Sequence, residues 1–192
     1  MDLQTRVVNI LTKPKEEWPV IAAESTDAPT LTKSYTAVLA AIPAVASFLG
    51  LSIVGANMPI LGTIRIGVVH GFTNAVVQYA LTIVGVYVAA MVIDKLAPTF
   101  KSQSSAIQSL KLVAYASTAV WVAGILNLIP ALTPLGILAA FYAVYLFYLG
   151  VTPLMKTPAD QVIPYMIVAA IVVIVVMFVV SACASAVTGA FF

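Results

Sequence analysis

Five long apolar runs alternate with short polar segments along most of the chain. They are Tyr35–Ala56, Ile66–Ile93, Leu112–Ile129, Leu135–Leu154 and Pro164–Thr188. A helix needs about 20 apolar residues to cross roughly 30 Å of hydrocarbon, and the runs are near this length or longer. Inside lipid the backbone must satisfy its own hydrogen bonds, so each run predicts a spanning helix. The pattern therefore predicts an all-α polytopic membrane protein, a bundle of five transmembrane helices within residues 34–192.

The polar segment before the first run, residues 1–33, is predicted to be cytoplasmic and to contain a short amphipathic helix. Its apolar residues share one helical face: Leu3, Val7, Ile10 and Leu11. Arg6 and Lys13 are then available for the opposite surface. This pattern predicts an interfacial helix along the inner leaflet, with Trp18 at the depth of the lipid headgroups.

Composition supports the membrane assignment. Hydrophobic residues make up 62% of the 192 residues and charged residues only 8%, with a mean hydropathy of +1.08. These values lie outside the range of ordinary soluble domains. The net charge of +2 is too small to indicate a nucleic-acid partner. The partner that the composition predicts is the lipid bilayer.

The positive charges predict an orientation. Eight of the nine basic residues fall on one side of the five-helix arrangement, namely Arg6, Lys13, Lys15, Lys33, Lys95, Lys101, Lys111 and Lys156. The other side carries Arg65. Because positive charge accumulates on the cytoplasmic side of membrane proteins, the N-terminus is predicted inside and the C-terminus outside.

Four polar residues of the second run recur at every fourth position, namely His70, Asn74, Gln78 and Thr82. At 3.6 residues per turn they form one stripe along a helix. One interpretation is a polar path, in which His70 titrates near neutral pH. The other interpretation, which we favour, is a set of hydrogen bonds to neighbouring helices.

Small residues also recur at helical spacing. Gly67, Gly71 and Ala75 run beside the polar stripe, and Ser181, Ser185 and Gly189 form a second ladder in the last run. Both ladders predict close helix packing, and a homo-oligomer is expected. At the ends of the second and third helices, Asp94 and Lys111 are either an ion pair or two solvated loop charges.

Familiar catalytic patterns are missing from the sequence. The chain has no G-x-x-x-x-G-K-[ST], no Ser in a G-x-S-x-G setting and no H-E-x-x-H. With one histidine and one cysteine it cannot build a usual zinc site. We therefore predict no metal, no cofactor and no enzymatic activity.

Four short motifs in order carry a resemblance to a known family. They are Ile10–Trp18 (ILTKPKEEW), Asp94–Phe100 (DKLAPTF), Lys111–Tyr115 (KLVAY) and Tyr145–Lys156 (YLFYLGVTPLMK). Over about residues 5–188 the chain resembles the bacterial branch of the Yip family of Rab/Ypt-interacting membrane proteins. The matching positions include Trp18, Asp94, Pro98, Lys111, Tyr115, Tyr145 and Lys156. The chain departs from the family pattern at Lys101-Ser102, where Gly-Gly is frequent, and at Ala119, where proline is common.

The resemblance implies five crossings, a cytoplasmic N-terminus and a place in the bacterial inner membrane. Eukaryotic members are associated with Rab GTPases, vesicle traffic and membrane shaping, and they carry a longer N-terminal region and an Asp-Leu-Tyr-Gly-Pro motif. Neither feature is present here, so the Rab-linked role does not transfer. The resemblance favours a non-enzymatic scaffold that organises the membrane or binds a protein partner. The alternative is a small-solute or ion permease that uses the polar stripe.

Overall fold

The computed structural model describes residues 2–58 and 62–189, and it describes side chains for residues 2–55 and 62–175. Two short helices begin the chain: α1 Leu3–Thr12 and α2 Pro14–Ala23. Five longer helices follow: α3 Ala28–Val54, α4 Val68–Leu96, α5 Ala106–Leu128, α6 Gly136–Met155 and α7 Val162–Gly189. The predicted all-α polytopic fold is confirmed.

Length and composition agree with membrane-spanning helices. Ala28–Val54, Val68–Phe100, Ala106–Leu128 and Pro130–Met155 are each long and apolar enough to cross a bilayer. Helix α7 has 28 residues, which at 1.5 Å per residue is about 42 Å. Helices α3 and α5 begin before their apolar runs, because polar first turns extend them beyond the apolar span.

Hydrogen bonds between loops define one end of the bundle. The backbone N–H of Gln103 donates to Met155 O at 2.7 Å, and the hydroxyls of Ser102 and Thr157 are 2.8 Å apart. The loops 101–105 and 156–161 are therefore neighbours. Lys111 also reaches Ile21 O at 2.8 Å, which brings the N-terminal segment to this end. We call this end of the bundle the basic side.

The opposite end, which we call the far side, carries a small β-hairpin. Strand β1 Ala56–Met58 pairs antiparallel with β2 Gly62–Ile64. The hairpin contacts the 3-10 turns of Pro130–Leu135, which precede α6. The apolar pattern did not predict the strands, because this short segment joins two long apolar runs.

Most of the large core side chains lie in the basic-side half of the bundle. The side chains of Ile10, Leu112, Leu146, Val151, Met155 and Tyr165 are all 0% exposed. By contrast, many apolar residues of the far-side half are exposed, among them Val68, Val69, Phe72, Ile125, Ile129, Ile137 and Leu138. In a bilayer this exposed surface faces hydrocarbon rather than water, so its exposure is compatible with the fold.

The N-terminal helices form a hairpin that packs into the bundle. The Tyr142 hydroxyl donates to Leu11 O at 2.7 Å, at the end of α1. Tyr142 precedes Met155 by 13 residues, so the tip of this hairpin lies roughly 20 Å along α6 from its basic-side end. Ile10 and Ile21 are buried against protein. We call α1 and α2 together the N-terminal hairpin.

This packing corrects one sequence-based prediction. Arg6, predicted for the surface opposite the apolar face, is only 4% exposed. The apolar face of α1 exists, but it covers protein. Trp18 is 1% exposed and therefore contacts protein, and its predicted headgroup depth stays a prediction. Arg6 can be buried because Glu17 of α2 and Glu24, which follows α2, supply carboxylate partners.

Candidate functional site

Arg6 sits at the centre of a buried ionic cluster. Its guanidinium donates to the carboxylates of Glu17 and Glu24. Asn9 Nδ2 adds a hydrogen bond to Glu17 Oε2 at 3.1 Å. The Arg6 Cζ atom also lies 5.6 Å from the ring centroid of Tyr115. The cluster neutralises the charges that the N-terminal hairpin brings into the bundle.

Lys111 joins the hairpin to α5. Its Nζ donates to Ile21 O at 2.8 Å and to Glu24 O, at the C-terminal end of α2. The last carbonyls of a helix lack intrahelical partners and carry partial negative charge, which favours a cation there. Asp94 instead accepts a hydrogen bond from Ser104 Oγ at 2.8 Å. Both alternatives considered for Lys111 are therefore wrong. It does not pair with Asp94, and it is not a solvated loop charge, since it is 2% exposed.

Trp18 fixes the hairpin against α6. The indole packs where Gly150 has no side chain: a Cβ there would lie 2.7 Å from Trp18 Cζ2 and 2.7 Å from Leu112 Cδ1. The indole also meets the Tyr115 ring edge-on, with centroids 6.4 Å apart. Tyr115 in turn contacts the Tyr35 ring at 4.5 Å. Three of the four motifs therefore meet in one contact. We call Arg6, Glu17, Trp18, Lys111 and Gly150 the anchor cluster.

The polar stripe of α4 lies partly in a groove. Asn74, Gln78 and Thr82 line a groove of about 540 Å³ between α4, α5 and α7. The Thr82 hydroxyl donates to Gln78 O at 2.8 Å, within its own helix. His70 is exposed and is not part of the groove wall. The structure therefore brings three of the four stripe residues together.

The small residues beside the stripe differ in their surroundings. Gly71 is buried, and a Cβ there would overlap the Ser52 hydroxyl and lie 3.3 Å from Phe48 Cδ2. Gly67 is exposed, and the position of its Cβ has only His70 Nδ1 nearby, at 3.8 Å. Ala75 is half-buried. The second ladder, Ser181, Ser185 and Gly189, falls outside the residues whose side chains are described.

A larger groove opens between α6 and α7. Its volume is about 720 Å³, and its walls are apolar apart from one serine and two tyrosine hydroxyls. Tyr145 and Tyr148 line it from α6, and Ile163, Ile167 and Ala170 line it from α7. We call it the α6–α7 groove.

The remaining motif positions lie at the basic side. Phe100 stacks on Tyr165 with ring centroids 5.0 Å apart, and the Tyr165 hydroxyl donates to Ile93 O. Pro98 is the second residue of the 3-10 turn Ala97–Phe100. Lys156 ends α6 with φ 50°, a left-handed conformation.

Comparison with known proteins decides the family. The sequence model of the Yip1 domain matches residues 8–181 of this chain. The chain belongs to the Yip1 domain family. Inner membrane protein YohC of Escherichia coli strain K12 is 26% identical over 163 residues, which are 82% of each chain. YohC of E. coli O6:H1 strain CFT073 has the same identity and coverage. No solved structure matches the chain. The predicted resemblance to bacterial members is confirmed.

In this Yip1 domain three motif positions hold the N-terminal hairpin in place, namely Trp18, Lys111 and Tyr115. Sequence reasoning missed Glu17, Glu24 and Gly150 as partners in this contact. Two features of the sequence indicate this contact. Lys111 stands at the start of an apolar run, and a glycine, Gly150, stands among the bulky residues of Tyr145–Lys156.

Proposed function

We propose that the protein is a non-enzymatic scaffold of the bacterial inner membrane, which organises the bilayer or binds partner proteins there. The name of its E. coli relatives supports this location. Neither that name nor the Yip1 domain suggests catalysis. The scaffold assignment itself rests on the interior of the bundle.

The observation that carries the proposal is the way in which the polar stripe ends. Towards the basic side, α4 continues past Thr82 with Val86, Ala89 and Ala90, and none of these side chains is more than 7% exposed. A polar path for a solute or an ion needs water or hydrogen-bonding groups along its length. Here apolar side chains follow the stripe, and Val86 and Ala89 continue the wall of the same groove. The polar lining that α4 provides therefore stops at Thr82, and the stripe borders a groove rather than a pore.

The anchor cluster also supports a scaffold. Arg6 pairs with Glu17 and Glu24, and Lys111 donates to backbone carbonyls of Ile21 and Glu24, so these charges serve to position the N-terminal hairpin. A scaffold depends on such a fixed shape. In this proposal the exposed surfaces of the bundle make the contacts with lipid or with partners.

Homo-oligomerisation is part of the proposal. Apart from His70 Nδ1 at 3.8 Å, the exposed Gly67 has open space at its Cβ position, so a second copy can approach the backbone closely there. Gly67→Leu should therefore reduce the oligomer without changing the fold. Light scattering on the purified protein in detergent measures the mass, with Gly136→Leu as the control, because Gly136 also has open space around it but lies on α6.

A permease is the second candidate, because Asn74 and Gln78 line a groove of about 540 Å³. Flux of a panel of ions and small solutes into proteoliposomes separates the two functions. A scaffold gives no flux above that of protein-free vesicles, in the wild type and in His70→Gln alike. Flux that depends on pH in the wild type, and loses this dependence in His70→Gln, would establish the permease instead.

The orientation is tested by labelling single cysteines in a Cys183→Ser background. Ser104→Cys lies in a basic-side loop and Thr63→Cys in the far-side hairpin. An impermeant thiol reagent added to intact spheroplasts should label Thr63→Cys only. Labelling of Ser104→Cys alone from outside would reverse the proposed orientation.

A further inference from the structure

The α6–α7 groove opens sideways, between two helices long enough to cross the membrane. It reaches inward to Val113, Ala116 and Ser117 of α5, so it is a cleft rather than a shallow surface. In a bilayer its mouth faces hydrocarbon, and its walls offer almost no hydrogen-bonding groups. An acyl chain has the chemistry that such a cleft accepts.

A second copy of the chain fits this cleft less well. In a two-fold symmetric dimer the same patch of both subunits meets across the axis. Two concave clefts facing each other would leave their combined volume empty. A lipid chain fills the cleft without that loss, because it adapts to the shape of the walls.

Positive charge lies at the basic-side end of the groove. Ile163 lines the groove and is the second residue of α7, which follows the loop 156–161 directly. Phe100, which stacks on Tyr165, precedes Lys101. The hydrogen bond between Ser102 and Thr157 holds the two loops together. Lys101 and Lys156 are therefore carried by adjacent loops, and both are exposed.

The backbone at these lysines is unusual. Lys101 has φ 55° and Lys156 has φ 50°, and among the described residues they are the non-glycine residues with positive φ. Glycine adopts this conformation at lower cost. Lysine at both positions keeps an ammonium group in a place where the backbone alone favours glycine.

Other charges lie at the same end. Lys95 lies in the last turn of α4 and is exposed. Asp94 accepts a hydrogen bond from Ser104, and Asp160 lies in the second loop. The Gln161 side chain donates to Asp160 and, together with the charge of Lys101, lowers the pKa of that carboxyl below its usual range. The balance remains positive, with three lysines and two aspartates.

We propose that the α6–α7 groove binds an acyl chain of an anionic phospholipid, whose phosphate group is held by Lys101 and Lys156. The lipid belongs to the leaflet on the basic side. This inference goes beyond the proposed function, because lipid binding requires neither a partner protein nor assembly.

Native mass spectrometry on the delipidated full chain in detergent tests the site. The probes are phosphatidylglycerol and phosphatidylcholine with the same acyl chains. The wild type should bind phosphatidylglycerol roughly tenfold more tightly, since each lysine near the surface favours an anionic lipid. Equal binding of the two lipids by the wild type would overturn the headgroup assignment.

Two variants and one control separate the site of the acyl chain from the site of the lipid headgroup. Ala170→Phe fills the groove and should abolish the binding of both lipids, whereas Ala140→Phe, on an exposed alanine outside the groove, should not. The double variant Lys101→Gly/Lys156→Gly should lose the preference for phosphatidylglycerol and keep phosphatidylcholine. Because glycine suits positive φ, this double variant without lipid should have a melting temperature at least as high as that of the wild type.

Three further outcomes would overturn the proposal. The first is that Ala170→Phe and Ala140→Phe bind lipid equally. If Ala170→Phe does not fold, Val144→Trp, at an exposed groove position, replaces it and must show the same loss of binding. The second is lipid binding by Val144→Trp that equals that of the wild type. The third is a disulfide-linked dimer of Tyr148→Cys in a Cys183→Ser background, since it would show a second copy over the groove.

Discussion

The basic-side and far-side halves of the bundle are held together in different ways. In the basic-side half, large side chains such as Trp18, Leu112 and Tyr165 are almost completely buried, and ionic contacts tie the N-terminal hairpin to the bundle. In the far-side half, helices approach one another closely at glycines: Gly50 meets Asn127, Gly71 meets Ser52 and Gly124 meets Pro43.

The difference indicates where the stability of the fold resides. Burial of a large side chain contributes more than a single close backbone contact, and cavities cost most in a well-packed core. In the far-side half, lipid replaces protein as the packing partner. Substitutions of equal size should therefore be costly in one half and mild in the other.

The largest effect is expected from Trp18→Ala. Removal of this buried indole leaves a cavity beside Gly150 and should cost about 4 kcal/mol of unfolding free energy. Denaturant titration in detergent, followed by far-UV circular dichroism, measures the change. Val8→Ala on the exposed face of α1 is the control, since Val8 is 56% exposed. If both variants unfold alike, the hairpin is not part of the core.

A somewhat smaller loss is expected from Arg6→Met. The substitution leaves the Glu17 carboxylate buried without its cation and should cost about 3 kcal/mol. The double variant Arg6→Met/Glu17→Gln removes the orphaned charge and should recover most of that loss. A double variant as unstable as Arg6→Met alone would show that the ion pair is not the source of the effect.

In the far-side half, Gly71→Leu should be destabilising by about 2 kcal/mol, because the new side chain overlaps the Ser52 hydroxyl. Melting temperature in detergent reports the change. Gly67→Leu provides the comparison within the same helix and should melt like the wild type. Equal melting temperatures for the two variants would contradict the packing of α4 against α3.

The smallest effect is expected from Gln78→Leu. Gln78 lies half-buried on the wall of a groove, so the free energy of unfolding should change by less than about 0.5 kcal/mol. The same denaturant titration measures it. A loss above 2 kcal/mol would show that the amide makes a structural bond that binds α4 to another helix.

Local sequence was sufficient to predict the helices. Apolar runs such as Leu135–Leu154 correspond closely to observed helices such as Gly136–Met155, because hydrophobicity and helix length are properties of neighbouring residues. The first turns of α3 and α5 were missed, because the prediction was based on apolar residues and these turns are polar. They are helical although they are not apolar.

The anchor cluster could not be predicted in this way. Lys111 was considered with Asp94, a charge near it in sequence, whereas its acceptor Ile21 O lies 90 residues away. Nothing local to Trp18 indicates a glycine on α6 as its contact. The stripe of α4 was visible as a pattern, but its surroundings depend on where α5 and α7 lie.

The long sequence separation within the N-terminal hairpin contacts has a consequence for biogenesis. Arg6 and Glu17 are 11 residues apart and can pair as soon as both leave the ribosome. Leu11 and Tyr142 are 131 residues apart, a gap of roughly ten seconds at ordinary rates of synthesis. During that interval the hairpin has no α6 on which to dock. A nascent chain that stops before Gly150 therefore holds the hairpin only through α5, by way of Lys111 and Tyr115, and lacks the surface of α6 against which Trp18 packs.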